Sequence, residues 1–206
     1  MNENNEILLN EVADYYATKL KEHGATPRGV DWNGEEGQTL RFAQLARLLP
    51  RDSFSIADIG CGYGALLHYL RKSFENFKYL GCDISAEMIA AANAEAPANA
   101  RFTLGAQPDQ ISDYCVASGI FNVKLNRSDA DWREYVESCV DSLAASSRRG
   151  FAFNCLTSYA DEDKKRGNLY YADPCYWFDR CKRLYSKDVA LLHDYGLYEF
   201  TIIVRK

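Results

Sequence analysis

The sequence predicts a doubly wound α/β sheet of seven mostly parallel strands, closed by a C-terminal antiparallel hairpin and preceded by an N-terminal helical cap. From Phe54 onward short apolar runs alternate with stretches of helical periodicity, the pattern of a parallel sheet covered by helices. Glycines crowd the first strand-to-helix junction, and the last two apolar runs are separated only by a short polar turn, as in a hairpin.

Leu8, Val12, Tyr15, Tyr16 and Leu20 fall at helical spacing before Gly24, which reads as an amphipathic helix with a glycine stop. Residues 25–37 are dense in turn formers yet carry Arg28, Asp31 and Trp32, the makings of a lid. A second helix is expected over 38–49, ended by Pro50. Strands are then expected at 54–59, 79–82, 101–104, 114–118, 150–155, 189–192 and 198–204. Helices at 65–74, 86–96 and 131–147, and one opened by Asp173-Pro174, fill the intervals. No repeat or flexible linker divides the chain, so its 206 residues are expected to form one domain, with 1–50 as cap and 51–206 as core.

A hydrophobic fraction of 47% and a charged fraction of 26% are those of an ordinary globule. No apolar run reaches the length of a bilayer span, and Met1-Asn2-Glu3-Asn4-Asn5-Glu6 lacks the basic and apolar regions of a signal peptide, so a cytoplasmic address and no membrane partner are expected. The net charge of -5 argues against a broad nucleic-acid footprint, and Lys164-Lys165-Arg166 reads as a solvated loop. Seven cysteines without close pairs of metal-ligand spacing read as reduced thiols, and no metal is expected.

The sharpest local signal is Asp58-Ile59-Gly60-Cys61-Gly62-Tyr63-Gly64, which leaves an apolar strand and enters a helix carrying Leu66, Leu67 and Leu70. Glycine there permits positive φ, exposes backbone to a ligand and opens onto the unpaired amides of a helix start. Spacing alone also fits a dinucleotide fingerprint through Gly60, Gly62 and Ala65. Asp58 shifts the balance, because a carboxylate beside the turn accepts hydrogen bonds from an ammonium and repels a pyrophosphate.

These residues resemble the first motif of the class I S-adenosylmethionine-dependent methyltransferases, acidic-x-Gly-x-Gly-x-Gly, written here from Asp58 to Gly64. The resemblance implies a Rossmann-like fold, S-adenosylmethionine as methyl donor and S-adenosylhomocysteine as product. It further implies that Asp83, closing the next strand, binds the ribose diol, that Cys61 belongs to the cofactor loop, and that Ile84 and Met88 flank the adenine. Contacts at Ala106 after the third strand, and at Ala117 and Ser118 after the fourth, follow from the same pattern. A turn role for Asp83 and core packing for Ile84 and Met88 are the plain alternatives.

The acceptor side is less marked. The Asn-Pro-Pro-Tyr-like signature of nucleobase and amide nitrogen methyltransferases is absent after the fourth strand, where Ser118-Gly119-Ile120-Phe121 stands. A small-molecule acceptor methylated at a hydroxyl or carboxylate oxygen is therefore favoured. Tyr15, Arg28, Trp32, Gln38 and Arg41 of the cap and Tyr159, Tyr170 and Tyr171 of the long connection are the candidate pocket. His193 is the candidate general base, with a structural turn histidine as the alternative. Two competing functions remain open: a nicotinamide-dependent oxidoreductase on the same turn, and a non-catalytic S-adenosylmethionine-binding module.

Overall fold

The computed structural model describes residues 3–32 and 34–206, with side chains from Ile7 onward. Met1 and Asn2, part of the segment read for a missing leader, and Asn33 of the expected lid lie outside the described residues.

The chain runs through α1 (Glu3–His23), a short 3-10 turn (Pro27–Val30), α2 (Glu35–Ala46), β1 (Phe54–Ile59), α3 (Ala65–Leu70), β2 (Phe77–Asp83), α4 (Ala86–Ala94), β3 (Ala100–Leu104), β4 (Ser112–Ala117), α5 (Asp129–Ala145), β5 (Ser147–Leu156), a second 3-10 turn (Glu162–Lys164), α6 (Pro174–Leu184), β6 (Asp188–Leu192) and β7 (Glu199–Arg205). The strands form one sheet of seven in the order β3-β2-β1-β4-β5-β7-β6. β1, β2, β3, β4 and β5 are mutually parallel, and β7 enters antiparallel between β5 and β6. The strand order reverses between β1 and β4, so a crevice opens beyond their carboxyl ends.

Both faces of the sheet are apolar, which is why the strands read as continuous hydrophobic runs. Ala57, Ile59, Cys115, Ala117, Phe151 and Phe153 face one side, where they meet Trp132 and Val136 of α5 and Trp177 of α6. Ile56, Tyr114, Val116, Ala152 and Ile203 face the other, against Phe42 and Leu45 of α2 and Leu67 and Leu70 of α3. Trp132 also anchors the loop after β4, its indole N–H donating to the Phe121 carbonyl at 2.8 Å.

Helix ends shift from the expected positions for local reasons. α5 starts at Asp129 because the Ser128 hydroxyl accepts the Asp131 amide. α2 starts at Glu35, directly after Gly34, with Glu35 and Glu36 at its positive N-terminal end. α3 stops at Leu70, and residues 71–74 continue as turns bonded back to Leu67, Tyr69 and Leu70.

The cap is tied to the sheet by one buried ion pair. Arg41 of α2 donates through Nε and Nη2 to Glu199 of β7 at 2.7 and 2.8 Å, and the Glu199 side chain is 1% exposed. Removing one partner of such a pair strands a charge in low dielectric. Arg41→Ala should therefore lower unfolding free energy by about 3 kcal/mol in urea denaturation, whereas a loss near that of a surface salt bridge, below about 1 kcal/mol, would contradict this reading.

Candidate active site

The glycine turn after β1 is shaped by three positive φ angles, +70° at Gly60, +54° at Gly62 and +87° at Gly64. A Cβ at Gly60 would lie 2.1 Å from Ile120 Cγ2, and one at Gly64 would press on the Phe102 ring at 3.1 Å. The turn amides are largely spent within the protein. Gly60 and Cys61 N–H both donate to the Cys82 carbonyl, and Gly62 N–H donates to Asp83 Oδ2 at 2.8 Å. The glycine positions themselves thus keep no free amide, while among the described residues the Tyr63 N–H and the first amides of α3, from Ala65, have no partner.

Asp83 ends β2 facing the same turn. Its Oδ2 accepts from Gly62 and its Oδ1 accepts from the Ser85 amide at 2.9 Å, while Ser85 in turn caps α4 through the Met88 amide. Each carboxylate oxygen has a second lone pair, so both can still accept a hydroxyl hydrogen. Burial raises the Asp83 pKa above the ordinary carboxylate value, and the bonds from Ser85, Gly62 and Ile84 work against that rise.

Asp58, at the end of β1, is 2% exposed, and its Oδ2 accepts the Tyr79 hydroxyl. Burial pushes its pKa up to about 7, and the bond from Tyr79 opposes the shift. Oδ1 is the oxygen left for a ligand.

Around these residues lie three contiguous cavities. The main cleft, about 1080 Å³ with its open mouth, takes in Gly60, Gly62, Asp83, Ile84, Met88, Ala106 and Ser118. A smaller pocket of about 340 Å³ behind the turn is lined by Asp58, Gly60, Cys61, Gly62, Gln38 and Ser118. A third cavity, about 1550 Å³ with its mouth, lies between the cap and the connection after β5 and includes Arg41, Lys164, Arg166 and Tyr171. Val30 and Trp32 line all three, so the cap supplies the wall where they meet. Trp32 is held by the Arg41 guanidinium 3.9 Å from its ring centroid and by Gly119, where a Cβ would come within 2.3 Å of the indole.

Several expected residues stand elsewhere. Gly64 lies below the turn against Phe102, and Ala117 is fully buried in β4. Tyr15 lies outside the three cavities, its hydroxyl donating to Asp31 at 2.7 Å, and Arg28 is exposed on the 3-10 turn. Tyr170 is core, packed with Trp177 and Cys155, while Tyr159 is 67% exposed. His193 does fall on the carboxyl edge, but it is exposed, lines none of the cavities and neighbours the rings of Tyr159 and Phe200. The reason is topological: β6 is the fourth strand beyond β1, which at ~4.8 Å per strand places it roughly 19 Å from the glycine turn.

Other lining residues escaped the sequence reading. Val12 and Tyr16 belong to the face of α1 that read only as amphipathic, and both line the main cleft. Tyr135, Ser138, Cys139 and Ser142 line it too, and their spacing along α5 is the one signal that marked a shared face.

A methyltransferase-domain family model matches residues 57–148, the stretch holding the glycine turn, Asp83 and the exit of β4. Over 157 residues, 75% of this chain and 95% of the relative, the sequence is 60% identical to Rv1506c of Mycobacterium tuberculosis (strain ATCC 25618 / H37Rv), which bears the provisional name of a methyltransferase. The chain belongs to the class I, S-adenosylmethionine-dependent methyltransferase family. Among solved structures it is similar to the DhpI complex with SAM and HEP, at a TM-score of 0.70 and 15% identity, covering 97% of this chain and 98% of that one. It is also similar to magnesium protoporphyrin IX methyltransferase (ChlM) from Synechocystis PCC 6803 with bound SAH, at a TM-score of 0.67 and 13% identity, covering 96% and 99%. These likenesses bear on the fold, which in this methyltransferase is the seven-stranded Rossmann-like sheet.

The contact between Gly119 and Trp32 can be tested without any ligand. Gly119→Ala puts a Cβ into the indole at a residue whose φ is +81°, so Trp32 should be displaced. Trp132 and Trp177 are 1% and 0% exposed, so quenching of tryptophan fluorescence by iodide reports mainly on Trp32 and should rise. Unchanged quenching would show that the indole does not rest on Gly119.

Proposed function

We propose that the chain transfers a methyl group from S-adenosylmethionine to a carboxylate oxygen of a small molecule held in the cavity between cap and connection. The observation that carries this reading is the set of complementary groups along the glycine turn. Asp83 offers two acceptor lone pairs to a vicinal diol, Ile84 and Met88 offer apolar walls to a purine, and Asp58 offers Oδ1 to an ammonium. Gly60 and Gly62 line the main cleft, where the turn allows Ile120 and Val30 to close against it and shape the wall along which a sulfur nucleoside would lie. A dinucleotide would bring its pyrophosphate close to the Asp58 carboxylate, which disfavours the oxidoreductase reading.

When bound, S-adenosylmethionine supplies an electrophilic methyl carbon on a sulfonium, and the protein's part is to align a nucleophile with it and exclude water. Trp32 and Val30, present in every cavity, form the wall at the point of transfer. Among the described residues no histidine or cysteine lines the acceptor cavity, and its buried carboxylate, Glu199, is engaged with Arg41. An acceptor that is already ionised near neutral pH needs no base, which favours a carboxylate over an alcohol. Arg166 at the cavity supplies a charge that can hold such a group, while Lys164 is paired with Asp163 and the lining carboxylates Asp31 and Glu36 confine the anion to the Arg166 side. A small acceptor agrees with the names of relatives such as magnesium protoporphyrin IX methyltransferase.

Two measurements check this reading. With a panel of small carboxylic acids, the product should be a methyl ester that releases methanol in alkali, and Arg166→Ala should raise acceptor KM about tenfold while leaving S-adenosylhomocysteine affinity unchanged. An alkali-stable product would exclude the ester. The pH dependence follows from Asp58. Its carboxyl must be ionised to hold an ammonium, so a proton competes with the ligand below about pH 7. Affinity for S-adenosylhomocysteine should fall as pH drops from about 8 to about 5.5, and the slope should vanish in Asp58→Asn. A slope that persists in the variant would place the titrating group elsewhere.

A further inference from the structure

Asn154 is a buried polar side chain beside the site that its chemistry has so far left unused. It stands on β5, is 0% exposed, and reaches across to the exit of β4. Its Oδ1 accepts the Gly119 N–H at 2.9 Å, and its Nδ2 donates to Ser118 Oγ at 3.2 Å.

The orientation of this amide follows from chemistry. A backbone N–H only donates, so the carboxamide must turn its oxygen to Gly119. The NH2 group is then directed at Ser118, and it too only donates. Ser118 Oγ is therefore an acceptor toward Asn154, and its own hydrogen is free to point elsewhere. Among the described residues no protein acceptor takes that hydrogen. Ser118 lines both the main cleft and the pocket that contains Asp58.

We infer that Asn154 is a positioning residue that fixes Ser118 as a hydrogen-bond donor to the carboxylate of the amino-acid end of S-adenosylmethionine. The inference rests on the cofactor reading proposed above. A zwitterionic amino acid presents an ammonium and a carboxylate on one carbon, and the pocket answers with an acceptor at Asp58 and a donor at Ser118. The strand register supports the pairing: Asp58 lies beside Val116 and Ile59 beside Ala117, so Ser118 follows one step beyond the end of β1. The amides of Gly60, Cys61, Gly62 and Gly119 are bonded within the protein and are not free to donate in its place.

The test compares S-adenosylhomocysteine, which carries the amino-acid end, with 5′-methylthioadenosine, which lacks it, by calorimetry on the full chain. Ser118→Ala should weaken the first ligand about tenfold and leave the second unchanged. Asn154→Asp keeps the shape and still accepts the Gly119 amide, and in titrations run at alkaline pH, where the buried carboxyl is ionised, it presents only acceptors, so Ser118 must turn its hydrogen back to the protein. That variant should show the same selective loss. In the Ser118→Ala background, Asn154→Asp should cost little more, because the residue through which it acts is already gone.

An equal loss for both ligands in Ser118→Ala, or no loss for either, would overturn the donor role. A full additional loss in the double variant would mean that the introduced charge acts directly on the ligand and not through Ser118. If Asn154→Asp fails to fold, Ser118→Ala with the two ligands still decides the donor role. Failure of the unmodified protein to bind either nucleoside would instead refute the cofactor reading itself.

Discussion

The constraint on which the rest of the site depends is the absence of side chains on the turn after β1. Gly60, Gly62 and Gly64 hold left-handed backbone angles that other residues adopt only under strain, and neighbouring parts of the chain are fitted against the faces this leaves bare. Ile120 from the β4 exit occupies the place of a Cβ at Gly60, Val30 of the cap approaches Gly62, and Phe102 of β3 closes on Gly64. Asp83 then fixes the turn by accepting its central amide. The amides of Gly62 and Ser85 both donate to this carboxylate, which offsets the cost of its burial.

The cap is the second determinant, because it decides how the cavities communicate. Trp32 is packed between a guanidinium and a glycine, and the guanidinium is in turn locked to a buried carboxylate on β7. The chain of contacts Gly119, Trp32, Arg41, Glu199 runs from the parallel half of the sheet to its antiparallel end. The wall shared by the three cavities is thereby referenced to rigid strands at both sides, although it is built on a segment of turns. Under the proposed function, such support is what in-line transfer needs, since small misplacements of the reacting groups are costly in rate.

The parts of this architecture that were legible in the sequence are those fixed by local chemistry. Glycines at a strand-to-helix junction, a carboxylate closing the next strand and a serine cap on α4 are each specified by a few adjacent residues, and the fold class follows from periodicity alone. The acceptor side depends on tertiary placement that adjacent residues do not encode. Tyr170 and Tyr171 are neighbours, yet one enters the core and the other lines a cavity. His193 lies on the correct edge of the sheet but too many strands from the reversal point. Tyr16 has the spacing of a core residue, and only the docking of α1 over the cleft gives it another surface. Asn154 carries no motif, and its relation to Ser118 exists only once β5 lies beside β4.

The central claim is that the glycine turn, Asp58 and Asp83 select a sulfur nucleoside. Calorimetric titration of the purified protein with S-adenosylhomocysteine and with nicotinamide dinucleotides, run in parallel at one pH, tests it most directly. The account predicts stoichiometric binding of S-adenosylhomocysteine and no heat from the dinucleotides. Binding of a dinucleotide in its place would contradict the account.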